Sequence, residues 1–193
     1  MFKTSLFLVL LFSAISASAE NKEAVFAGGC FWCVQADFDK LPGVVKTIAG
    51  YDGGQSPNPS YEQVSSGSTQ YAESVKVIYD NNKITYSALL DYFWHHIDPT
   101  VKDRQFCDVG HQYRTAIFYL DNSQKQEALL SLDKIKKQLP NIYTEITSST
   151  HFYPAETYHQ SYYLKNPVRY EFYRLTCGRD ARVKEVWHEK SLS

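Results

Sequence analysis

GGCFWC, residues 28–33, follows the apolar run Ala24 to Ala27 and precedes a helix-like pattern. The run is typical of a buried strand, and the two glycines are typical of a tight turn. Cys30 would then open a helix, where the helix dipole is expected to lower the pKa of its thiol. The alternative is that Cys30 and Cys33 are an inert packing pair or a plain disulfide. A turn beside two large aromatic residues favours a nucleophilic or redox-active Cys30 with an apolar pocket next to it.

The composition is that of an ordinary globular protein. Of the 193 residues, 44% are hydrophobic and 21% are charged. This length is enough for one domain with a substantial core. A net charge of −1 gives no argument for binding nucleic acid or an anionic membrane surface.

The sequence of residues 1–19 predicts a cleavable signal peptide. Lys3 provides a positive start, Leu6 to Phe12 a short apolar core, and Ala17-Ser18-Ala19 a small-x-small cleavage site. We therefore expect cleavage near Ala19, export to a periplasm or the exterior, and a single domain over residues 20–193. All four cysteines lie in that domain, and an oxidising compartment would permit structural disulfides among them.

The order of predicted elements is β-α-β-β-α-β. Strands are predicted at 24–27, 44–51, 73–79 and 113–120, and the two intervening helices at 31–40 and 86–96. This order is the ferredoxin-like split β-α-β pattern: an α/β (α+β) two-layer sandwich with two helices on one face of an antiparallel sheet. A C-terminal extension follows, with a helix at 123–138, an edge strand at 143–146, an aromatic-rich helix at 155–164 and a mostly irregular or short-helical tail.

Two long polar loops, before Glu73 and before Tyr113, carry the other candidates for chemistry. A carboxyl group among aromatic rings, such as that of Glu73, is pushed towards its neutral form and can donate a proton. Tyr61 lies in the first loop, and Asp108 and Tyr113 lie at the end of the second. Taken singly, each of these four residues also fits surface solvation, packing or a turn.

Taken together, these segments resemble peptide methionine sulfoxide reductase A over nearly all of the chain after residue 19. The resemblance is carried by GGCFW (28–32), LPGV (41–44), GYDGG (50–54), NPSYEQV (58–64), AE (72–73), DPT (98–100), DVGHQYRTAIFY (108–119), FYPAE (152–156) and YHQ (158–160). It implies thiol-dependent reduction of the S epimer of methionine sulfoxide, free or in proteins. It also implies a monomer without metal or cofactor that takes electrons from thioredoxin or a similar dithiol.

The resemblance assigns roles to individual residues. Cys30 would attack the sulfoxide sulfur, and Glu73 would protonate the sulfoxide oxygen. Tyr61 and Tyr113 would hydrogen-bond that oxygen as charge develops on it, and Asp108 would position the substrate. The aromatic pair at 31–32, Phe31 and Trp32, would bind the terminal methyl group.

The residue that recycles Cys30 is left open between Cys33 and Cys177. After methionine leaves, Cys30 would remain as a sulfenic acid, and a second thiol would condense with it to form a disulfide. Cys33 has the spacing of a CxxC pair, and Cys177 lies on a flexible-looking tail. Cys107 is a third, weaker candidate because it adjoins Asp108.

Two rival functions are also compatible with parts of the sequence. Cys30 and Cys33 in an exported chain also suggest a thioredoxin-like thiol-disulfide oxidoreductase, although the element order argues against that fold. A metal site would use His95, His96, Cys107 and His111. Adjacent histidines on a helix point in different directions, so this set makes a poor ligand cluster.

Overall fold

The structure of the protein, a computed structural model, describes residues 21–188. Its strands are β1 (Asn21–Gly28), β2 (Val44–Asp52), β3 (Ala72–Asp80), β4 (Arg104–Gln105), β5 (Asp108–Val109), β6 (Thr115–Tyr119), β7 (Glu145–Ser148) and β8 (Tyr153–Pro154). Its helices are α1 (Phe31–Phe38), α2 (Tyr61–Ser65), α3 (Tyr86–Trp94), α4 (Asn122–Lys136), α5 (Tyr162–Lys165), α6 (Pro167–Cys177) and α7 (Arg179–His188), with a 3-10 helix at His111–Tyr113.

Six strands form one sheet in the order β7-β6-β1-β3-β2-β8, while β4 and β5 form a separate hairpin. The neighbours from β6 to β8 are antiparallel, and β7 lies parallel to β6 after the α4 crossover. The central order β6-β1-β3-β2 is that of a ferredoxin-like split β-α-β fold. The predicted fold class is confirmed.

The strand register brings the chemistry-bearing segments to one edge of the sheet. Gly28 at the end of β1 pairs with Thr115 at the start of β6. Tyr51 near the end of β2 pairs with Glu73 near the start of β3. Because neighbouring strands are antiparallel, strand ends and strand starts alternate along this edge, and the loops attached to them meet there.

The main core lies between the sheet and the helices. Phe26 of β1 stacks on Phe38 of α1 and on Phe93 of α3, with ring centroids 5.1 and 5.0 Å apart. A smaller apolar cluster contains Val25, Phe118 and Phe152. Since Val25 and Phe26 are consecutive in β1, their side chains point to opposite faces of the sheet, and both faces are therefore covered.

Side-chain caps fix where several helices begin. Ser60 and Gln63 form a reciprocal capping box at the start of α2. Thr85 and Asp121 accept hydrogen bonds from backbone N–H groups at the starts of α3 and α4. The cap at Ser60 matters for function, because it places Tyr61 as the first residue of α2.

The C-terminal region differs most from prediction. The expected helix at 155–164 is wrong: β8 and turns precede the four-residue α5. The Gln160 amide bonds both the N–H and the carbonyl of Ala49, which ties this segment to β2 instead of letting it coil. Of the expected irregular or short-helical tail, the short-helical form is the one observed: α6 begins with Pro167 and ends at Gly178 in a left-handed conformation (φ +72°), and α7 follows.

Other boundaries moved by a few residues. The 3-10 helix replaces the first part of the expected fourth strand, so β6 starts at Thr115 rather than Tyr113. The edge strand β7 starts at Glu145 rather than Tyr143. Within residues 21–188, no helix combines the length and apolarity that a bilayer span requires. The predicted signal peptide lies outside the described residues.

Candidate active site

Cys30 lies where β1 passes into α1, as the sequence predicted. Gly29 makes the turn with a positive φ of +84°, and a Cβ there would come within 2.6 Å of the Gln105 side chain. Cys30 is the N-cap residue of α1, and its carbonyl accepts from the N–H groups of Cys33 and Val34. Only 8% of its surface is exposed, so its sulfur faces the protein interior.

The structure joins Cys30 to every other predicted catalytic residue. A cavity of about 100 Å³ is lined by Cys30, Phe31, Trp32, Tyr61, Glu73, Asp108, Tyr113 and Tyr173. Seven of these eight residues were predicted from sequence, and Tyr173 was not. They come from α1, α2, β3, the β4–β5 hairpin, the 3-10 helix and α6, which all meet at the same sheet edge.

Glu73 is held beside the nucleophile in a form that can donate a proton. Its side chain is 2% exposed, and one carboxyl oxygen accepts the N–H of Phe31 at 3.0 Å. Burial raises the pKa of Glu73 to about 8, despite the opposing effect of the hydrogen bond from Phe31. In the neutral carboxyl group, one oxygen accepts the hydrogen bond from Phe31, and the other carries a proton that it can donate into the cavity.

Tyr61 and Tyr113 provide further hydroxyl groups in the cavity. The N–H of Tyr61 donates to Glu156, which also accepts the hydroxyl of Tyr51. Burial raises the pKa of Tyr61 to about 12 and also raises that of Tyr113. At neutral pH both hydroxyls therefore remain protonated, as donors to a developing oxyanion must be.

The expected lowering of the Cys30 pKa by the helix dipole is wrong. Burial, contact with the Cys33 thiol and the nearby carboxyl groups of Glu73 and Asp108 raise the pKa of Cys30 well above its ordinary value. The desolvation cost of a thiolate thus outweighs the helix dipole. The resting nucleophile is a thiol whose proton must leave during the reaction.

Trp32 is fixed from two sides by residues that had no predicted role. Its indole N–H donates to Nδ1 of His159 at 3.0 Å. Its ring lies parallel to that of Tyr162, with centroids 3.8 Å apart and planes 7° apart. His159 also packs against Phe31 and Tyr61. His159 and Tyr162 belong to the stretch 158–162. Its high content of aromatic residues is the sequence feature that could have indicated a role beside Trp32.

The cysteines divide into two pairs. Cys30 and Cys33 are free and buried, and their side chains interact. Cys107 and Cys177 form a disulfide across 70 residues, with Cys107 exposed. Cys177 therefore lies at the end of α6 in a covalent crosslink, not on a mobile tail as predicted. The interaction with Cys30 and the charges of Arg179 and Arg174 lower the pKa of Cys33.

The histidines proposed as metal ligands have other partners. His95 and His96 each bond a backbone carbonyl of α3, and His111 bonds the Asp103 carboxylate. Cys107 is in the disulfide. Among residues 21–188, the donor atoms close enough to share an ion belong to Cys107, Asp108 and Cys177, and two of these are joined sulfur atoms.

Comparisons with known proteins identify relatives over most of the chain. The family model for peptide methionine sulfoxide reductase matches residues 22–191. Peptide methionine sulfoxide reductase MsrA 2 of Rhizobium meliloti is 42% identical over 189 residues, which are 97% of this chain and 94% of the relative. The MsrA/MsrB protein of Vibrio cholerae is 46% identical over 186 residues, which are 92% of this chain but 49% of that longer protein.

Solved structures agree with the sequence relatives. Mxr1 from Saccharomyces cerevisiae in its reduced form is 34% identical, with a TM-score of 0.74 over 77% of this chain and 87% of that one. A complex of Mxr1 with Trx2 matches at 23% identity and a TM-score of 0.54, over 77% of this chain and 90% of that one. This second likeness shows the shared fold.

Proposed function

This chain belongs to the peptide methionine sulfoxide reductase family, and we propose that Cys30 performs its thiol-dependent reduction of methionine sulfoxide to methionine. One observation carries the assignment of residues. The Cys30 sulfur shares a cavity with Glu73, a buried carboxyl group that is protonated at neutral pH and tied to the N–H of Phe31. A sulfur nucleophile beside a neutral acid is what cleavage of a sulfoxide S–O bond requires.

In the first step, Cys30 attacks the sulfoxide sulfur and the Glu73 carboxyl group protonates the oxygen. The oxygen, as hydroxyl, then passes from the substrate sulfur to the Cys30 sulfur, the bond between the two sulfur atoms breaks, methionine leaves and Cys30 is a sulfenic acid. Tyr61 and Tyr113 donate hydrogen bonds to the oxygen while its negative charge develops. Because these donors are held in place before reaction, little reorganisation is needed at the transition state.

Phe31 and Trp32 form the apolar wall of the cavity, where the substrate's terminal methyl group fits. Their fixed positions distinguish the two faces of the sulfoxide, and the family resemblance assigns the S epimer. The experiment that tests this function offers each separated epimer of a methionine sulfoxide to the protein with dithiothreitol. Consumption of the S epimer alone supports the proposal, whereas consumption of neither opposes it.

Cys33 is the favoured resolving thiol. It lies within side-chain contact of Cys30, and its lowered pKa favours the thiolate. Attack of the Cys33 sulfur on the Cys30 sulfenic acid forms the Cys30–Cys33 disulfide and releases water. Cys177 is bound to Cys107 and would first have to be reduced.

An external dithiol must then reduce the Cys30–Cys33 disulfide. We propose a thioredoxin-like protein as this donor, since yeast Mxr1 has been solved in complex with Trx2. The site is assembled from one chain, so a monomer is the proposed active unit. Protein repair after oxidative damage is the corresponding physiological role.

We also propose that the protein is exported. The support is the pattern of residues 1–19, with Lys3, the apolar run 6–12 and Ala17-Ser18-Ala19. N-terminal sequencing of the protein recovered from the periplasm or medium should begin near Glu20. Recovery of an uncleaved chain in the cytoplasm would oppose export.

The thioredoxin-like alternative is disfavoured. The sheet order is ferredoxin-like, and Cys30 lines a cavity that also contains two carboxyl groups and three tyrosines. Reduction of insulin disulfides without sulfoxide reduction would favour that alternative.

A further inference from the structure

Tyr173 of α6 lines the cavity that also contains the nucleophilic Cys30 and the carboxyl group of Asp108. Its hydroxyl donates a 2.5 Å hydrogen bond to Oδ2 of Asp108. The edge of the Tyr173 ring meets Trp32 at 82°, with centroids 5.9 Å apart. A tyrosine hydroxyl has one proton to donate and lone pairs to accept with. While it donates to Asp108, it can therefore accept the proton of Cys30.

The attack of Cys30 on the sulfoxide sulfur needs a group that accepts the thiol proton. The Cys30 thiol is protonated at rest because burial and the nearby carboxyl groups raise its pKa. Glu73 is neutral and acts as the acid, so it cannot also take up the thiol proton. Asp108 is a carboxyl group of the same cavity but reaches Cys30 through Tyr173. Two carboxyl groups with opposite tasks are a recurrent feature of acid–base sites.

We propose that Tyr173 is a further catalytic residue, which accepts the thiol proton of Cys30 during attack and passes its own hydroxyl proton to Asp108. The proposal rests on the proposed function and deepens it. The S–H bond of Cys30 breaks as its sulfur bonds the sulfoxide sulfur, and Tyr173 gains one proton and loses another. Asp108 becomes neutral, while Glu73 becomes anionic by protonating the oxygen. Proton exchange with solvent restores both carboxyl groups.

In this proton relay from Cys30 through Tyr173 to Asp108, the Cys107–Cys177 disulfide holds the segments that carry Tyr173 and Asp108 together. Cys107 directly precedes Asp108, and Cys177 follows Tyr173 by one helical turn, with its sulfur 4.0 Å from the Tyr173 hydroxyl. Arg174, the next residue of α6, pairs with Asp37 of α1 at 2.8 Å. The helix that carries Tyr173 is thus fixed both to the Asp108 segment and to the helix that Cys30 opens.

The relay makes a specific prediction about pH. Without a base, the rate of attack follows the thiolate fraction of Cys30, which rises tenfold for each pH unit below the thiol pKa. With the relay, the thiol form also reacts. The titratable groups facing Cys30 are Cys33, Tyr61, Glu73, Asp108, Tyr113 and Tyr173. Apart from Tyr173, they are the same in wild type and Tyr173→Phe, so the ratio of the two rates isolates the relay.

The test measures methionine formed in a single turnover, without added reductant, between pH 6 and 10. Tyr173→Phe should be slower than wild type by about 100-fold near pH 6.5, the lower part of the range for general acid–base catalysis. The deficit should shrink as pH rises. Tyr163→Phe is the matched control, because it also removes a tyrosine–aspartate hydrogen bond, to Asp39 at 2.9 Å, but lies outside the cavity.

Three outcomes would overturn the relay. Tyr173→Phe as fast as wild type would show that no proton passes through its hydroxyl. A deficit that is constant with pH would indicate a structural role only. If neither wild type nor Tyr163→Phe forms methionine, the proposed function is wrong, and so is the relay that depends on it. If Tyr173→Phe does not fold, Asp108→Asn removes the final acceptor with little change of shape, and it should show the same pH-dependent deficit.

Discussion

The backbone N–H of Phe31 donates a hydrogen bond to Oε2 of Glu73 across 3.0 Å, linking residues 42 positions apart. This contact fixes the proposed acid against the residue that follows the nucleophile. It also occupies one of the N–H groups left free at the start of a helix. Since the carboxyl group is buried and largely neutral at pH 7, the same contact leaves its proton available to the substrate.

Glu73→Gln should reduce the single-turnover rate at pH 7 by at least about 100-fold, because an amide cannot supply the proton. In wild type the acid is active when protonated. The rate should therefore be retained below pH 8 and lost as pH rises through the Glu73 pKa of about 8. The pH profile of sulfoxide reduction measures this. A matched control is Glu62→Gln, an exposed carboxyl of α2. A wild-type profile without a decline near pH 8 would argue against Glu73 as the acid.

Cys33→Ser should leave a persistent sulfenic acid on Cys30 after one turnover, since the nearest thiol is gone. Cys177→Ser should still convert Cys30 and Cys33 into a disulfide. The measurement is mass spectrometry of the protein after reaction with one equivalent of sulfoxide, with and without a sulfenic-acid trap. A trapped sulfenic acid in Cys177→Ser but not in Cys33→Ser would assign recycling to Cys177 instead.

Trp32→Ala should lower kcat/KM for methionine sulfoxide by roughly 10–100-fold, the range expected for losing an apolar subsite. It should also reduce the preference for a methyl over an ethyl sulfoxide, because the ring no longer limits the pocket. Competition between the two sulfoxides measures that preference. Tyr158→Ala, at a side chain 57% exposed, serves as control. An unchanged methyl preference in Trp32→Ala would place the methyl group elsewhere.

Replacing Cys107 and Cys177 together by serine should lower the free energy of unfolding by roughly 2–4 kcal/mol. The disulfide closes a loop of 70 residues, and the broken crosslink leaves the unfolded chain more conformational freedom. Urea unfolding measures the difference, and wild type with reductant should match the double variant. Equal stability of the variant and the oxidised protein would mean that the crosslink does not restrain the unfolded chain.

Much of the fold was predictable from sequence because its signals are local. The Gly28-Gly29 turn, the β-branched run of β2 and the Thr85 cap each predict an element that the structure contains. The C-terminal region was mispredicted because its conformation depends on distant contacts. Gln160, for example, bonds the backbone of Ala49 instead of continuing a helix.

In the candidate site, too, some features were predictable from sequence and others depend on tertiary contacts. The resemblance placed Cys30, Glu73 and Asp108 in one pocket, and the structure brings them together. The pKa of Cys30 could not be predicted from its place at a helix start, because burial and the neighbouring Cys33 thiol outweigh the helix dipole there. Tyr173 was missed because its role depends on how α6 packs, which its own sequence neighbours do not indicate.

The role of Cys30 as the nucleophile is tested by comparing wild type with Cys30→Ser in the dithiothreitol-dependent reduction of methionine-S-sulfoxide. Wild type should form methionine rapidly, and Cys30→Ser should form none above background, because a serine hydroxyl cannot form a sulfenic acid. Before dithiothreitol is added, the Cys30→Ser protein should contain the Cys107–Cys177 disulfide and match wild type in urea unfolding, which shows that its fold is intact. Methionine formation by Cys30→Ser at the wild-type rate would show that Cys30 is not the nucleophile.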